Sequence, residues 1–99
     1  MCSKAYTLIT GASEGFGKSL ALECASRKMN LILVALPGPE LYNLADFIKR
    51  NYGVVVIPFE KDLSVEENCL QLFNEIEALQ VPVNMLINNA GIGLSLIHI

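Results

Sequence analysis

The chain has 99 residues, a length that holds one small domain and excludes two. Apolar residues make up 53% and charged residues 17%, which excludes a disordered tail and points to strands covered on both faces. The net charge of -3, with no basic run longer than Lys49-Arg50, leaves no electrostatic footprint for nucleic acid.

Short β-rich runs alternate with longer helical ones. Residues 5–10 read as a strand. Residues 15–27 read as a helix, with Leu20, Ala21, Cys24 and Ala25 on one face. Residues 31–36 form a continuous apolar run, as expected for a strand buried on both sides. Pro37-Gly38-Pro39 is a turn, and Pro39 suits the first turn of a helix over residues 40–51. That helix carries Leu41, Leu44, Ala45 and Ile48 at helical spacing, and Gly53 can end it. Residues 54–58 are the third strand. Ser64 reads as an N-cap, with Glu67 three residues on completing a capping box. The helix that follows, residues 65–79, is expected to bury Cys69, Leu72, Phe73, Ile76 and Leu79. Pro82 separates it from a fourth strand, Val83–Asn88. The order β-α-β-α-β-α-β implies an α/β fold with a parallel sheet and right-handed crossovers.

The three cysteines, Cys2, Cys24 and Cys69, are odd in number and form no C-x-x-C, which argues against a disulfide framework or a zinc site and fits a reducing compartment. The longest apolar runs fall far short of the roughly 20 residues of a membrane helix, and no apolar signal core follows Met1-Cys2-Ser3-Lys4. The chain is therefore expected to be soluble and cytoplasmic, without nucleic-acid or membrane partners.

Thr10-Gly11-Ala12-Ser13-Glu14-Gly15-Phe16-Gly17 joins the first strand to the first helix. Glycines here let the backbone turn sharply and leave the helix N-terminus open, so that its free N–H groups and positive dipole end can hold a phosphate. Gly11 would permit the turn, Gly15 would clear the approach of a pyrophosphate, Gly17 would allow close packing, and Ser13 could add a hydroxyl donor. Two other readings stand beside this one. The glycines can serve packing alone. Alternatively, residues 12–19 fit a relaxed P-loop, with Lys18 on terminal phosphates and Ser19 on magnesium, although Asn88-Asn89 stands where an acidic metal ligand would be needed.

Lys61-Asp62-Leu63-Ser64 follows the third strand, and Asn88-Asn89-Ala90-Gly91 follows the fourth. Together with the T-G-x-x-x-G-x-G turn, in this order and spacing, they resemble the short-chain dehydrogenase/reductase family from residue 5 to about Gly93. The resemblance implies the N-terminal half of a doubly wound parallel Rossmann sheet, strand order 3-2-1-4, over residues 1–93. It implies an NAD(P)-dependent oxidoreductase that moves hydride between a nicotinamide cofactor and a carbonyl or alcohol substrate, with a homo-oligomeric full-length protein. Gly11, Ser13, Glu14, Gly15, Phe16 and Gly17 would bind the cofactor's pyrophosphate and adenosine ribose. Asp62 would accept a hydrogen bond from the adenine amino group, and the Leu63 backbone would donate to the ring. Asn89, Ala90 and Gly91 would lie near the nicotinamide-side ribose.

The position at the end of the second strand that favours NAD when acidic reads Leu36-Pro37, and the glycine turn carries Glu14 rather than a base. NAD and NADP both stay open, with a lean to NADP because no acidic residue would repel its phosphate. The family's Ser and Tyr-x-x-x-Lys are absent: Tyr6, Tyr42 and Tyr52 are followed four residues on by Thr10, Asp46 and Val56. No catalytic residue can be named and no turnover is expected of these 99 residues. A non-catalytic dinucleotide-binding module fits the same residues. The last six residues, Leu94-Ser95-Leu96-Ile97-His98-Ile99, back-translate to CTG TCT CTT ATA CAC ATC, a transposase adapter end used in sequencing libraries. They are read as a non-native tail, so His98 is given no role.

Overall fold

The computed structural model describes residues 5–13 and 15–89. Four strands, β1 (Tyr6–Thr10), β2 (Asn30–Ala35), β3 (Val56–Glu60) and β4 (Val83–Asn88), alternate with three helices, α1 (Gly15–Ser26), α2 (Pro39–Tyr52) and α3 (Glu66–Leu79). The strands form one sheet in the order β3-β2-β1-β4, and every pairing is parallel. The doubly wound arrangement expected from the sequence is therefore present.

Strand periodicity divides the core in two, because successive side chains leave opposite faces of a sheet. Ile9, Leu31, Leu33, Ala35 and Val56 pack with Ala21, Cys24 and Ala25 of α1 and Leu41, Leu44, Ala45 and Ile48 of α2. Leu8, Ile32 and Val34 turn the other way, onto Cys69, Leu72 and Ile76 of α3. Every residue of β2 is buried, as its unbroken apolar run requires. Asn30 opens that strand, and its Oδ1 accepts the Val55 N–H at 3.0 Å, which ties the entry of β2 to the entry of β3.

Three local expectations need correction. Residues 54–58 were expected to form the third strand, but β3 begins two residues later. The Leu31 N–H bonds the Val55 carbonyl and paired register starts at Val56, so Val54 joins the core from the loop. Pro58 is tolerated because β3 is an edge of the described sheet. The capping box of Ser64 and Glu67 does not form: α3 starts at Glu66 and Val65 is its N-cap, with no side-chain cap bond. Asp62 Oδ1 instead accepts both the Ser64 hydroxyl, at 2.6 Å, and the Ser64 N–H that Glu67 would take in a capping box. Leu79, expected in the core, lies at the last turn of α3 and is 36% exposed, and Phe73 is only half-buried. Gly53 does end α2, in a left-handed cap whose N–H reaches the Lys49 carbonyl.

Candidate functional site

The loops after β1, β2, β3 and β4 all leave the carboxyl ends of the strands, the edge where open parallel sheets bind ligands. They enclose an open cleft of about 450 Å³. Gly11 and Ser13 line it from the first loop, Leu36, Pro37 and Glu40 from the second, Asp62, Leu63 and Ser64 from the third, and Asn89 from the end of β4. Five of the residues assigned to the cofactor from the sequence thus line one cleft: Gly11, Ser13, Asp62, Leu63 and Asn89. Gly15, Phe16 and Gly17 stand at the start of α1 and do not line the cleft. Glu14, Ala90 and Gly91 lie outside the described residues, as do the 94–99 tail and His98.

The glycine turn is held from beneath by the fourth-strand motif. Thr10 is fully buried, and its hydroxyl donates to Asn88 Oδ1 at 3.1 Å. One residue further along, Asn89 Nδ2 donates to the Gly11 carbonyl at 3.3 Å. The Ala12 N–H reaches the Val34 carbonyl at 3.1 Å, which fastens the turn to β2 as well. Two motifs 78 residues apart in sequence therefore form one structural unit.

Gly17 is buried directly under this turn. A Cβ there would collide with the Gly11 carbonyl and stand 2.9 Å from Asn89 Nδ2, so the close approach needs glycine. Gly15 differs: it sits at φ 58°, and a Cβ there would meet nothing within 4 Å. A side chain at Gly15 would thus point into open space, and the first amides of α1 have no intrahelical acceptor. Such an arrangement suits an anion. Phe16 projects beside it, 70% exposed.

The third loop is fixed by its own hydrogen bonds. Asp62 Oδ1 accepts both the N–H and the hydroxyl of Ser64, at 3.0 and 2.6 Å. Those bonds hold the Asp62 carboxyl below its ordinary range, so at neutral pH it is ionised and can only accept. Its carbonyl accepts from Asn68 Nδ2 at 2.9 Å. Leu63 anchors the loop by burying its side chain in the α3 core, and its carbonyl accepts the Cys69 thiol. Lys61 reaches the cleft but is engaged with Glu75, at 2.9 Å, and with Gln71 of α3.

The β2–α2 turn is braced by Glu60, whose Oε2 accepts the Gly38 N–H at 3.0 Å. Tyr42 also donates to this carboxylate. Desolvation first, and then that bond and its charge, push the Tyr42 phenol above its usual value. Glu40 contributes an acidic wall that the sequence did not reveal, because a glutamate in a first helical turn reads simply as a complement to the helix dipole. Glu40 thus adds an acidic group to the cleft wall, while the end of the second strand itself carries Leu36-Pro37.

The P-loop geometry is not supported. Ser19 turns its hydroxyl back to the Gly15 carbonyl, at 3.4 Å, and Lys18 leans into the groove between α1 and α2 rather than over the helix start. No cluster of three metal-ligating side chains occurs among the described residues. None of the described helices is long and apolar enough to cross a membrane.

Residues 5–98 match the family model described as short chain dehydrogenase. The very-long-chain 3-oxoacyl-CoA reductase of Scheffersomyces stipitis is 39% identical over 88 residues, which are 87% of this chain and 25% of that protein. The 3-oxoacyl-acyl-carrier-protein reductase of Aquifex aeolicus is 34% identical over 86 residues, 87% of this chain and 35% of that protein. The chain thus spans a quarter to about a third of the length of these relatives. Among solved structures, the L-sorbose reductase of Gluconobacter frateurii, complexed with NADPH and L-sorbose, superposes with a TM-score of 0.82 at 28% identity. That match covers 92% of this chain and 35% of the reductase. A short-chain dehydrogenase of Sphingobium yanoikuyae in complex with NADPH gives 0.80 at 32% identity, covering 90% of this chain and 34% of that one.

Proposed function

Because the chain belongs to the short-chain dehydrogenase family, we propose that its cleft holds a nicotinamide dinucleotide and that it forms the cofactor-binding part of an oxidoreductase acting on a carbonyl or alcohol. The observation that carries this reading is Gly17 locked beneath the Gly11 carbonyl and Asn89, with open space above Gly15. A turn serving packing alone requires the first feature and not the second. Gly11, Gly15, Phe16 and Gly17 set the path along which the pyrophosphate meets the α1 amides, with Glu14 of the same motif assigned to that group from the sequence. Ser13 adds a donor. Ionised Asp62 accepts from the adenine amino group, and the Leu63 backbone donates to the ring. Asn89, Ala90 and Gly91 face the nicotinamide-side ribose.

The coenzyme supplies or takes up hydride at its nicotinamide, and the residues of this chain bind and orient it. None of Tyr6, Tyr42 and Tyr52 is followed by lysine at the fourth position, so no acid–base residue is assigned. NADP(H) is favoured over NAD(H). Both NADPH complexes above support that preference, as does Leu36-Pro37, where a ribose-binding carboxylate would mark NAD. The dinucleotide-binding part is assigned to the stretch that the family model matches, from residue 5 onward. The free cysteines Cys24 and Cys69 fit a cytoplasmic setting.

Titrating the chain with NADPH and with NADH, followed by nicotinamide fluorescence, tests the reading. Saturable binding, tighter for NADPH, is expected. Absence of binding to either coenzyme overturns it.

A further inference from the structure

The second loop of the cleft is tied down from behind. Pro37 and Pro39 have no N–H, so Gly38 carries the one backbone donor of the 37–39 segment. Glu60 Oε2 accepts it at 3.0 Å. The same carboxylate accepts the Tyr42 hydroxyl, four residues further along. Gly38 is the N-cap of α2. In a capping box a glutamate three residues on takes the N-cap N–H, but that position is the buried Leu41. Glu60 supplies the missing carboxylate from another strand, beside the positive end of the helix. It is well placed to do so: it stands opposite Ala35 at the end of the β2–β3 ladder, and the Lys61 N–H closes that ladder on the Ala35 carbonyl at 2.9 Å.

We propose that Glu60 and Tyr42 are positioning residues, a latch that holds the second loop against the third and so sets the gap between the two cleft walls for the adenosine half of the coenzyme. This rests on the dinucleotide reading above. Leu36 and Pro37 line one wall, and Asp62 and Leu63 the other. Glu60 lies two residues before Asp62, at the base of the third loop, and its carboxylate grips the second loop at Gly38 and the first turn of α2 at Tyr42. The grip falls where the chain is freest. Gly38 sits at φ 154°, a conformation that glycine alone adopts readily, and a residue with that freedom has other conformations open to it. A charge-assisted bond to its N–H selects one of them. A wall fixed before the ligand arrives does not have to be ordered by the ligand, and affinity gains by that amount.

Calorimetric titration of the whole chain with ADP tests the latch. Glu60→Ala is expected to weaken ADP binding about fivefold, the cost of ordering a released loop. Glu60→Gln keeps an acceptor for Gly38 and Tyr42 and is expected to stay within about twofold of the parent; Tyr42→Phe is expected to lose about twofold. The two Glu60 variants lack the same charge, so the difference between them reads the hydrogen bonds alone. Melting temperatures close to the parent's are expected throughout, because these bonds lie at the surface. The Gly38 amide resonance reports the latch without ligand: Glu60→Ala is expected to move it and Glu60→Gln to restore most of its position. ADP binding unchanged in Glu60→Ala, or as weak in Glu60→Gln as in Glu60→Ala, overturns the latch while the dinucleotide reading stands. Failure of the parent chain to bind ADP takes down the dinucleotide reading, and the role of the latch with it.

Discussion

Replacing Gly17 by alanine sets a steric clash against a gain in helix propensity. The added methyl would run into the Gly11 carbonyl and come within 2.9 Å of Asn89 Nδ2. Asn89 can rotate away at the loss of its 3.3 Å bond to Gly11. The carbonyl is backbone and cannot yield without moving the turn. Overpacking of this kind costs about 1–3 kcal/mol, while removing a glycine from a helix returns up to about 1 kcal/mol. The net loss is about 1–2 kcal/mol, or a fall in melting temperature of roughly 4–16 °C for a domain of this size. Because the displaced turn carries the proposed phosphate-binding amides, NADPH affinity falls with it. Gly15→Ala is the matched control: it introduces no clash and only the strain of φ 58°, about 1 kcal/mol. Melting by circular dichroism and NADPH titration of both variants read the two effects. A Gly17→Ala protein that melts at or above the parent temperature with full NADPH affinity would refute the reasoning.

Asn89→Ala removes the side chain bridging β4 to the glycine turn; stability should fall by about 0.5–1 kcal/mol and NADPH should bind several-fold more weakly, read by melting and by titration. Thr10→Val deletes a fully buried donor facing Asn88 and should cost about 1–2 kcal/mol in urea unfolding. The Asp62 carboxyl titrates below its ordinary value of 3.8 in the folded chain, so its contribution to stability is present above that value and disappears as pH falls through the lower folded one. Melting temperatures of the parent and Asp62→Asn chains should therefore separate at neutral pH and converge only as the pH falls below the ordinary carboxylate value of 3.8. Desolvation, reinforced by Glu23, raises the Cys24 thiol, so iodoacetamide followed by peptide mapping should find Cys24 slow to react in the native chain and fast in denaturant.

The sheet was legible because each strand carries its own signature. The six-residue run of β2 permits only double-sided burial, and the alternation of Leu8 and Ile9 assigns opposite faces. The glycine turn was legible for the same local reason, since Gly17 answers to a backbone contact that no other residue fits. What the sequence concealed depends on contacts formed only after folding. Ser64 has the spacing of a capping box, yet Asp62, two residues earlier, takes both its N–H and its hydroxyl. The start of β3 was displaced because Leu31, far away in sequence, selects Val55 as its partner. Glu40 reached the cleft wall through the turn that Glu60 braces, and Lys18 reached the groove through the packing of α1 beside α2. Spacing along the chain encodes none of these.

Amide chemical shifts of the isotopically labelled chain, recorded while NADPH is added, probe the proposed cradle residue by residue. The account predicts saturable shifts at Gly11, Ser13, Gly15, Phe16, Gly17, Asp62, Leu63 and Asn89, with the outer faces of α2 and α3 quiet. Shifts confined to those outer faces, or a spectrum indifferent to the coenzyme, would contradict it.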